Sequence, residues 1–140
     1  MDHFSGTDPA HPLRRMTAEV AAALKDAADV EPVFMDASDK AAVLVELTTL
    51  QDQLHLIELA VARTCGDLAA ADGHRDVASW RAATEKRDGR TTRREDRLAE
   101  ALAERWTAVA AAVAEGRVSL EQATVVVRAL DTLADALEAE

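Results

Sequence analysis

Between Lys40 and Cys65 the chain runs for 26 residues without a glycine or a proline. Within and just beyond that run, Leu47, Leu50, Leu54, Ile57, Val61, Cys65 and Leu68 recur at spacings of 3, 4, 3, 4, 4 and 3. The spacing is that of a helical stripe close to a heptad seam. It predicts one long helix over about residues 39–72, opened by Ser38 or Asp39, weakened at Gly66 and ended by Gly73 in a left-handed exit. The 32 residues from Lys40 to Ala71, at 1.5 Å each, make about 48 Å of helix. That overhangs a compact bundle of this size, so Leu47, Leu50, Leu54, Ile57, Val61 and Leu68 are expected to form an interface, in a homodimer or with a helical protein partner. Leu44, Leu56 and Leu59 widen the apolar face toward a second neighbour.

Composition supports an all-α fold. Of 140 residues 31 are alanine, two are tryptophan and two phenylalanine, and there are only five glycines and three prolines. A β-sandwich or barrel needs more β-branched, aromatic and turn residues than this. A single cysteine excludes an internal disulfide and any cysteine-based zinc site. No apolar run reaches the length of a membrane span, and residues 1–15 lack the apolar core of a secretory signal. The segment after Arg14-Arg15 is too charged for a twin-arginine signal, so a cytoplasmic location is expected.

The remaining elements follow from caps and stops. Residues 1–15 read as a disordered lead-in. Residues 16–38 read as a short helix capped by Thr17, over Ala18 to about Ala28, and a linker through Pro32. Residues 39–140 read as a helical domain, in which three to four shorter helices follow the long one. Asp76 caps a helix from Val77 to about Thr84 with Trp80 turned inward, and Glu85–Thr91 is a polar loop. Thr92 with Glu95 is expected to form a capping box. The next helix carries Leu98, Leu102, Trp106, Val109 and Val113, and either runs to Glu115 or breaks near Thr107. Gly116 ends it. Ser119 and Gln122 form a second capping box before a stripe of Leu120, Ala123, Val127, Leu130, Ala134 and Leu137. A final helix that reaches Glu140 without a cap reads as truncated.

Charge is uneven. The formal net charge is −10, which disfavours non-specific nucleic-acid binding by the chain as a whole. Residues 73–110 nevertheless carry nine Lys+Arg against seven Asp+Glu, and Lys86–Arg97 alone holds six basic and three acidic residues. Together with Arg75, the cations Lys86, Arg87, Arg90, Arg93, Arg94 and Arg97 form the one positive island. They sit where a loop meets a helix start, a place suited to phosphate. No aromatic residue interleaves them, which disfavours single-strand stacking. Trp80 and Trp106 are expected in the core, Cys65 as a buried thiol, and His55 at the surface or an interface.

Two motifs, Ala71-Asp72-Gly73-His74-Arg75 followed by Ala78-Ser79-Trp80, and Ala114-Glu115-Gly116-Arg117-Val118-Ser119 followed by Arg128-Ala129-Leu130, occur in order after the long helix. In this the chain, over about residues 40–140, resembles the actinobacterial helical domain of unknown function that precedes HNH endonuclease modules, the family of the mycobacterial thirteen-E-twelve repeat proteins. The resemblance implies an all-helical fold and a setting among nucleases and mobile elements. The family's catalytic module is separate and downstream, and no residue here matches it. Members often join the Trp-bearing helix to the next by a short, partly apolar turn; Glu85–Thr91 is longer and charged, which argues against a helix-turn-helix.

No catalytic or metal-binding residue and no cofactor is assigned. His3, His11, His55 and His74 are scattered, the glycines are isolated, and Glu46, Asp52 and Glu58 do not share a helix face. Two readings result: a non-catalytic module that helps position a nuclease on DNA, and a structural protein that associates through its leucine stripe.

Overall fold

The computed structural model describes residues 11–139, and these are all-α, with no strand among them. The chain divides into two compact units, Met1–Ala41 and Ala42–Glu140. Among the described residues no helix is long and apolar enough to cross a membrane.

In the first unit, α1 spans Pro12–Ala27. It starts more than a turn earlier than the Thr17 cap implied. His11 Nδ1 accepts the Leu13 N–H at 3.2 Å, and Pro12 sits at the first helical position, where its fixed φ favours helix and its missing N–H costs nothing. Thr17 lies inside, its hydroxyl donating to the Arg14 carbonyl at 3.0 Å. Of the expected lead-in, residues 1–10 lie outside the described residues, whereas 11–15 belong to α1 and its cap. No residue of α1 is buried. A single 3-10 turn, Pro32–Phe34, follows. The next helix, α2 (Ala37–Ala62), is opened by Asp36 rather than Ser38 or Asp39. The Asp36 carboxylate accepts the Asp39 N–H at 3.0 Å and the Ser38 hydroxyl at 2.8 Å.

The helix expected to reach residue 72 ends at Ala62, and α3 (Gly66–Ala71) is a separate piece. At the break the Thr64 hydroxyl and N–H both donate to the Val61 carbonyl, and Cys65 N–H donates to Ala62. A threonine competing for that carbonyl tightens the turn and ends the ladder. Cys65 is half-buried rather than enclosed. Beyond α3 lie α4 (Val77–Thr84), α5 (Gly89–Glu100), α6 (Thr107–Ala114) and α7 (Leu120–Glu138). Five shorter helices therefore follow α2, not three to four.

Both glycine exits behave as expected. Gly73 (φ 78°) and Gly116 (φ 73°) are left-handed. In each case the glycine N–H and the next residue's N–H return to the last turn, Gly73 to Ala70 and His74 to Ala69, Gly116 to Val113 and Arg117 to Ala112. These are Schellman closures. At Gly116 a Cβ would also meet Thr49 Cγ2 at 2.9 Å. The Ser119–Gln122 capping box at α7 is present in both directions.

The stretch from Gly89 to Ala114 is interrupted. Ala101–Arg105 winds as one π turn, with Trp106 N–H donating to the Ala101 carbonyl at 2.8 Å. The extra residue turns Trp106 toward α7, where its Nε1 donates to Asp131 Oδ1 at 2.8 Å. Trp80 likewise donates from Nε1 to Asp72 Oδ2, at 2.7 Å. Both indoles are half-buried; Trp106 packs against the core cluster, and each turns its N–H to a carboxylate acceptor, as a buried indole requires. The core is small and aliphatic: Ala101, Leu102, Val113, Leu120, Ala123 and Val127, flanked by Leu56, Leu98 and Val109.

The leucine stripe does not face this core. Leu59 and Ala62 are the buried residues of α2, and Leu56 packs against the core cluster. Leu47, Leu50, Leu54 and Val61 are 39–53% exposed, Leu68 on α3 is 55% exposed, and Ile57 is half-buried. The helix is apolar on two faces, and polar hooks decide which one turns inward. Asp52 Oδ2 accepts the Leu120 N–H at 3.1 Å, and Gln53 Nε2 donates to the Ala114 carbonyl at 3.0 Å.

Candidate nucleic-acid interface

Of the seven cations singled out from the sequence, Arg75 precedes α4, Lys86 and Arg87 lie in the turn after it, and Arg90, Arg93, Arg94 and Arg97 lie on α5. The turn between the two helices is Glu85–Asp88, four residues, because α5 is capped by Asp88, four positions before the expected Thr92 cap. Asp88 is its cap: the carboxylate accepts the Thr91 N–H at 2.9 Å and its hydroxyl at 3.1 Å. The proposed Thr92–Glu95 capping box does not form. Thr92 is fully buried, and its hydroxyl lies within hydrogen-bonding distance of the Ala78 carbonyl (3.0 Å) and the Gly89 carbonyl (3.1 Å). Glu95 is drawn inward by two arginines.

Those arginines are Arg81 and Arg87. Arg81 is 2% exposed, yet every edge of its guanidinium is occupied. Nε donates to Glu85 at 2.9 Å, Nη1 to Glu95 at 3.1 Å, and Nη2 to Glu58 at 2.5 Å. Arg87 lies beside it, donating from Nη2 to Glu95 Oε1 at 2.6 Å and from Nη1 to Glu95 Oε2 at 3.0 Å and Glu58 at 3.3 Å. His55 Nε2 stands 3.2 Å from Glu95. Two arginines from α4 and the turn thus hold carboxylates from α2, the turn and α5. Burial pushes the Glu85 carboxyl up, but the hydrogen bond and charge of Arg81, with those of Arg87, outweigh it and leave it below its ordinary value. Burial likewise pushes Arg81 down, and its three carboxylate partners more than reverse this.

Lys86 makes the return possible. It is left-handed (φ 53°), and Arg87 N–H donates to the Ala82 carbonyl at 3.0 Å, so the turn closes as a glycine exit would, with lysine in the special position.

The other arginines face outward. Arg90, Arg93, Arg94 and Arg97 are all exposed and follow an i, i+3, i+4, i+7 pattern on α5. That pattern places them on one face, spanning about 10 Å of helix axis. Among the described residues none of the four has a carboxylate within 4 Å; nor do Lys86 and Arg128. Gly89 leaves room for Arg93, whose guanidinium would lie 3.5 Å from a Cβ there. Arg75 pairs with its neighbour Asp76 at 3.3 Å and is otherwise exposed. Asp76 caps α4, accepting the Ser79 hydroxyl and N–H. Those two bonds, assisted by the charges of Arg75 and Arg93, hold its carboxyl below the ordinary value against slight desolvation. Arg75 and Arg93 therefore act on the same carboxylate.

The island divides. Arg90, Arg93, Arg94 and Arg97 form a surface, Arg75 and Lys86 flank it, and Arg87 belongs to the interior. Sequence reasoning missed Arg81 and Glu58, which complete the inner network. A local signal existed for half of it, since Arg81 and Glu85 are four apart on a helix. Among the described residues no group of three or more His, Cys, Asp or Glu side chains is placed to hold a metal ion. No protein-family model, curated protein or solved structure matches the chain.

Proposed function

We propose that this chain is a non-catalytic helical module, similar to the region that precedes HNH endonuclease modules, which positions a nuclease on DNA by holding the phosphate backbone with α5. The observation that carries this reading is the face of four exposed arginines without carboxylate partners among the described residues, on a chain whose net charge is −10. Guanidiniums left unpaired on such a chain suit a dense polyanion, which they bind by displacing its condensed counterions. Contacts of this kind fix position and orientation without reading sequence. The four-residue turn between α4 and α5 is of helix-turn-helix length, so the loop-length objection no longer applies.

A second reading rests on α2. Its Leu47, Leu50, Leu54 and Val61 are exposed together, and an apolar strip of this kind suits self-association.

One experiment addresses both. Fluorescence anisotropy with a mixed-sequence duplex at two salt concentrations should show salt-sensitive binding. Arg93→Ala/Arg94→Ala/Arg97→Ala should reduce the magnitude of the log–log salt slope by about 2.7, since each phosphate no longer neutralised removes about 0.9. An absence of binding at low salt, or an unchanged slope, refutes the DNA reading. Sedimentation of the same sample as a concentration-dependent dimer would then favour α2.

A further inference from the structure

We propose that Arg128 of α7 joins Arg94 and Arg97 of α5 in a seat for one phosphate of the nucleic-acid backbone, in the cleft between the two helices. This rests on the DNA reading above and extends its contact surface to a second element.

The three arginines line a single solvent-open cleft of about 360 Å³, together with Asp131, Thr132 and Asp135. Arg128 is exposed and, among the described residues, has no carboxylate within 4 Å. Two carboxylates, Asp131 and Asp135, could neutralise the cleft; Asp131 is engaged by Trp106 and Arg105, which leaves three arginines against Asp135 alone. Asp131 Oδ1 accepts Trp106 Nε1 at 2.8 Å and lies 3.1 Å from Arg105 Nη1. The π turn that brings Trp106 against α7 thereby removes Asp131 from competition. The Thr132 hydroxyl donates to the Arg128 carbonyl at 2.9 Å, so its proton is also committed. Apart from the Asp135 carboxylate, the free hydrogen-bonding groups of the cleft are guanidinium N–H groups, which donate and cannot accept. Such a set calls for an anion with several acceptor oxygens, and a phosphate group matches the planar guanidinium fork.

Continuity favours a backbone phosphate over a free one. Arg94 and Arg97 belong both to the cleft and to the outer α5 face. A strand held along the α5 face can therefore continue through Arg94 and Arg97 into the cleft that Arg128 shares. An open cleft also suits a group carried on a polymer better than an enclosed small ligand.

The test uses the full chain and the same duplex. Arg128→Ala should weaken binding about threefold to tenfold and reduce the magnitude of the salt slope by about 0.9. Arg128→Lys should restore the slope without the full affinity, because it keeps the charge and loses the fork. Asp135→Asn, which removes the carboxylate not engaged by Arg105 or Trp106, should tighten binding. Inorganic phosphate at constant ionic strength should not compete at low millimolar concentration; competition there would make free phosphate the occupant and overturn the proposal. Arg128→Ala binding like the unsubstituted chain, while the α5 triple variant loses binding, overturns the α7 contact and leaves the α5 reading standing. No binding by the unsubstituted chain removes both.

Discussion

Arg81 and Arg87 lie close in sequence to Arg90 and Arg93 in the same hairpin, yet the two groups face opposite physical conditions. The inner pair meets three carboxylates, one of them, Glu58, contributed by α2 from 23 residues before Arg81. The outer set meets solvent. Side-chain chemistry is identical, so the difference comes from what the fold delivers. An arginine becomes structural when a distant helix presents acids to it, and remains available when none does. A cluster counted along the sequence therefore overstates the cations a ligand can reach.

The largest expected effect lies on the inner side. Arg81→Ala leaves Glu58, Glu85 and Glu95 facing one another with only Arg87 between them, and should cost about 3–5 kcal/mol in denaturant unfolding, the usual result of removing one partner of a buried charge group. If this variant instead melted normally and bound DNA weakly, the division between inner and outer arginines would be wrong. A smaller effect comes from acid. The carboxyls of Glu85, Asp76 and Asp88 titrate below their ordinary values when folded. Their contribution is complete above about pH 5 and is lost as pH falls through about 4 and below. A thermal melt followed from pH 7 to pH 3 should fall only in that lower range. The smallest effect sharpens the contrast at the turn itself. Lys86→Gly relieves a left-handed non-glycine residue and should raise stability by up to about 1 kcal/mol, while reducing the salt slope of DNA binding by less than the α5 variants do.

Local signals were legible where the governing partner lay within a few residues. Asp76 before Val77–Thr84, Gly73, Gly116 and the Ser119–Gln122 box all act over one turn, and each is found as read. Thr92 and Glu95 fit a capping box equally well by spacing, but Asp88 captures the helix start and Arg81 and Arg87 capture Glu95. The leucine stripe shows a different limit. Its period was right over most of α2, yet periodicity cannot choose between two apolar faces. Asp52 and Gln53 made the choice through hydrogen bonds to groups more than 60 residues away. Of the candidate site, residue type and location on α5 could be read; which arginines stay free could not, because that depends on α2.

The outward arginines of α5 have a consequence at distances beyond any hydrogen bond. The unit Ala42–Glu140 carries 12 Lys+Arg against 18 Asp+Glu, and with its exposed arginines gathered on α5 it is an electric dipole as well as an anion. On the DNA reading, such a field repels a polyanion from the acidic faces and exerts a torque that turns α5 forward before contact. Orientation is then selected during the encounter rather than after it. Added salt, by shortening the Debye length toward about 8 Å at 0.15 M, makes that selection local and late.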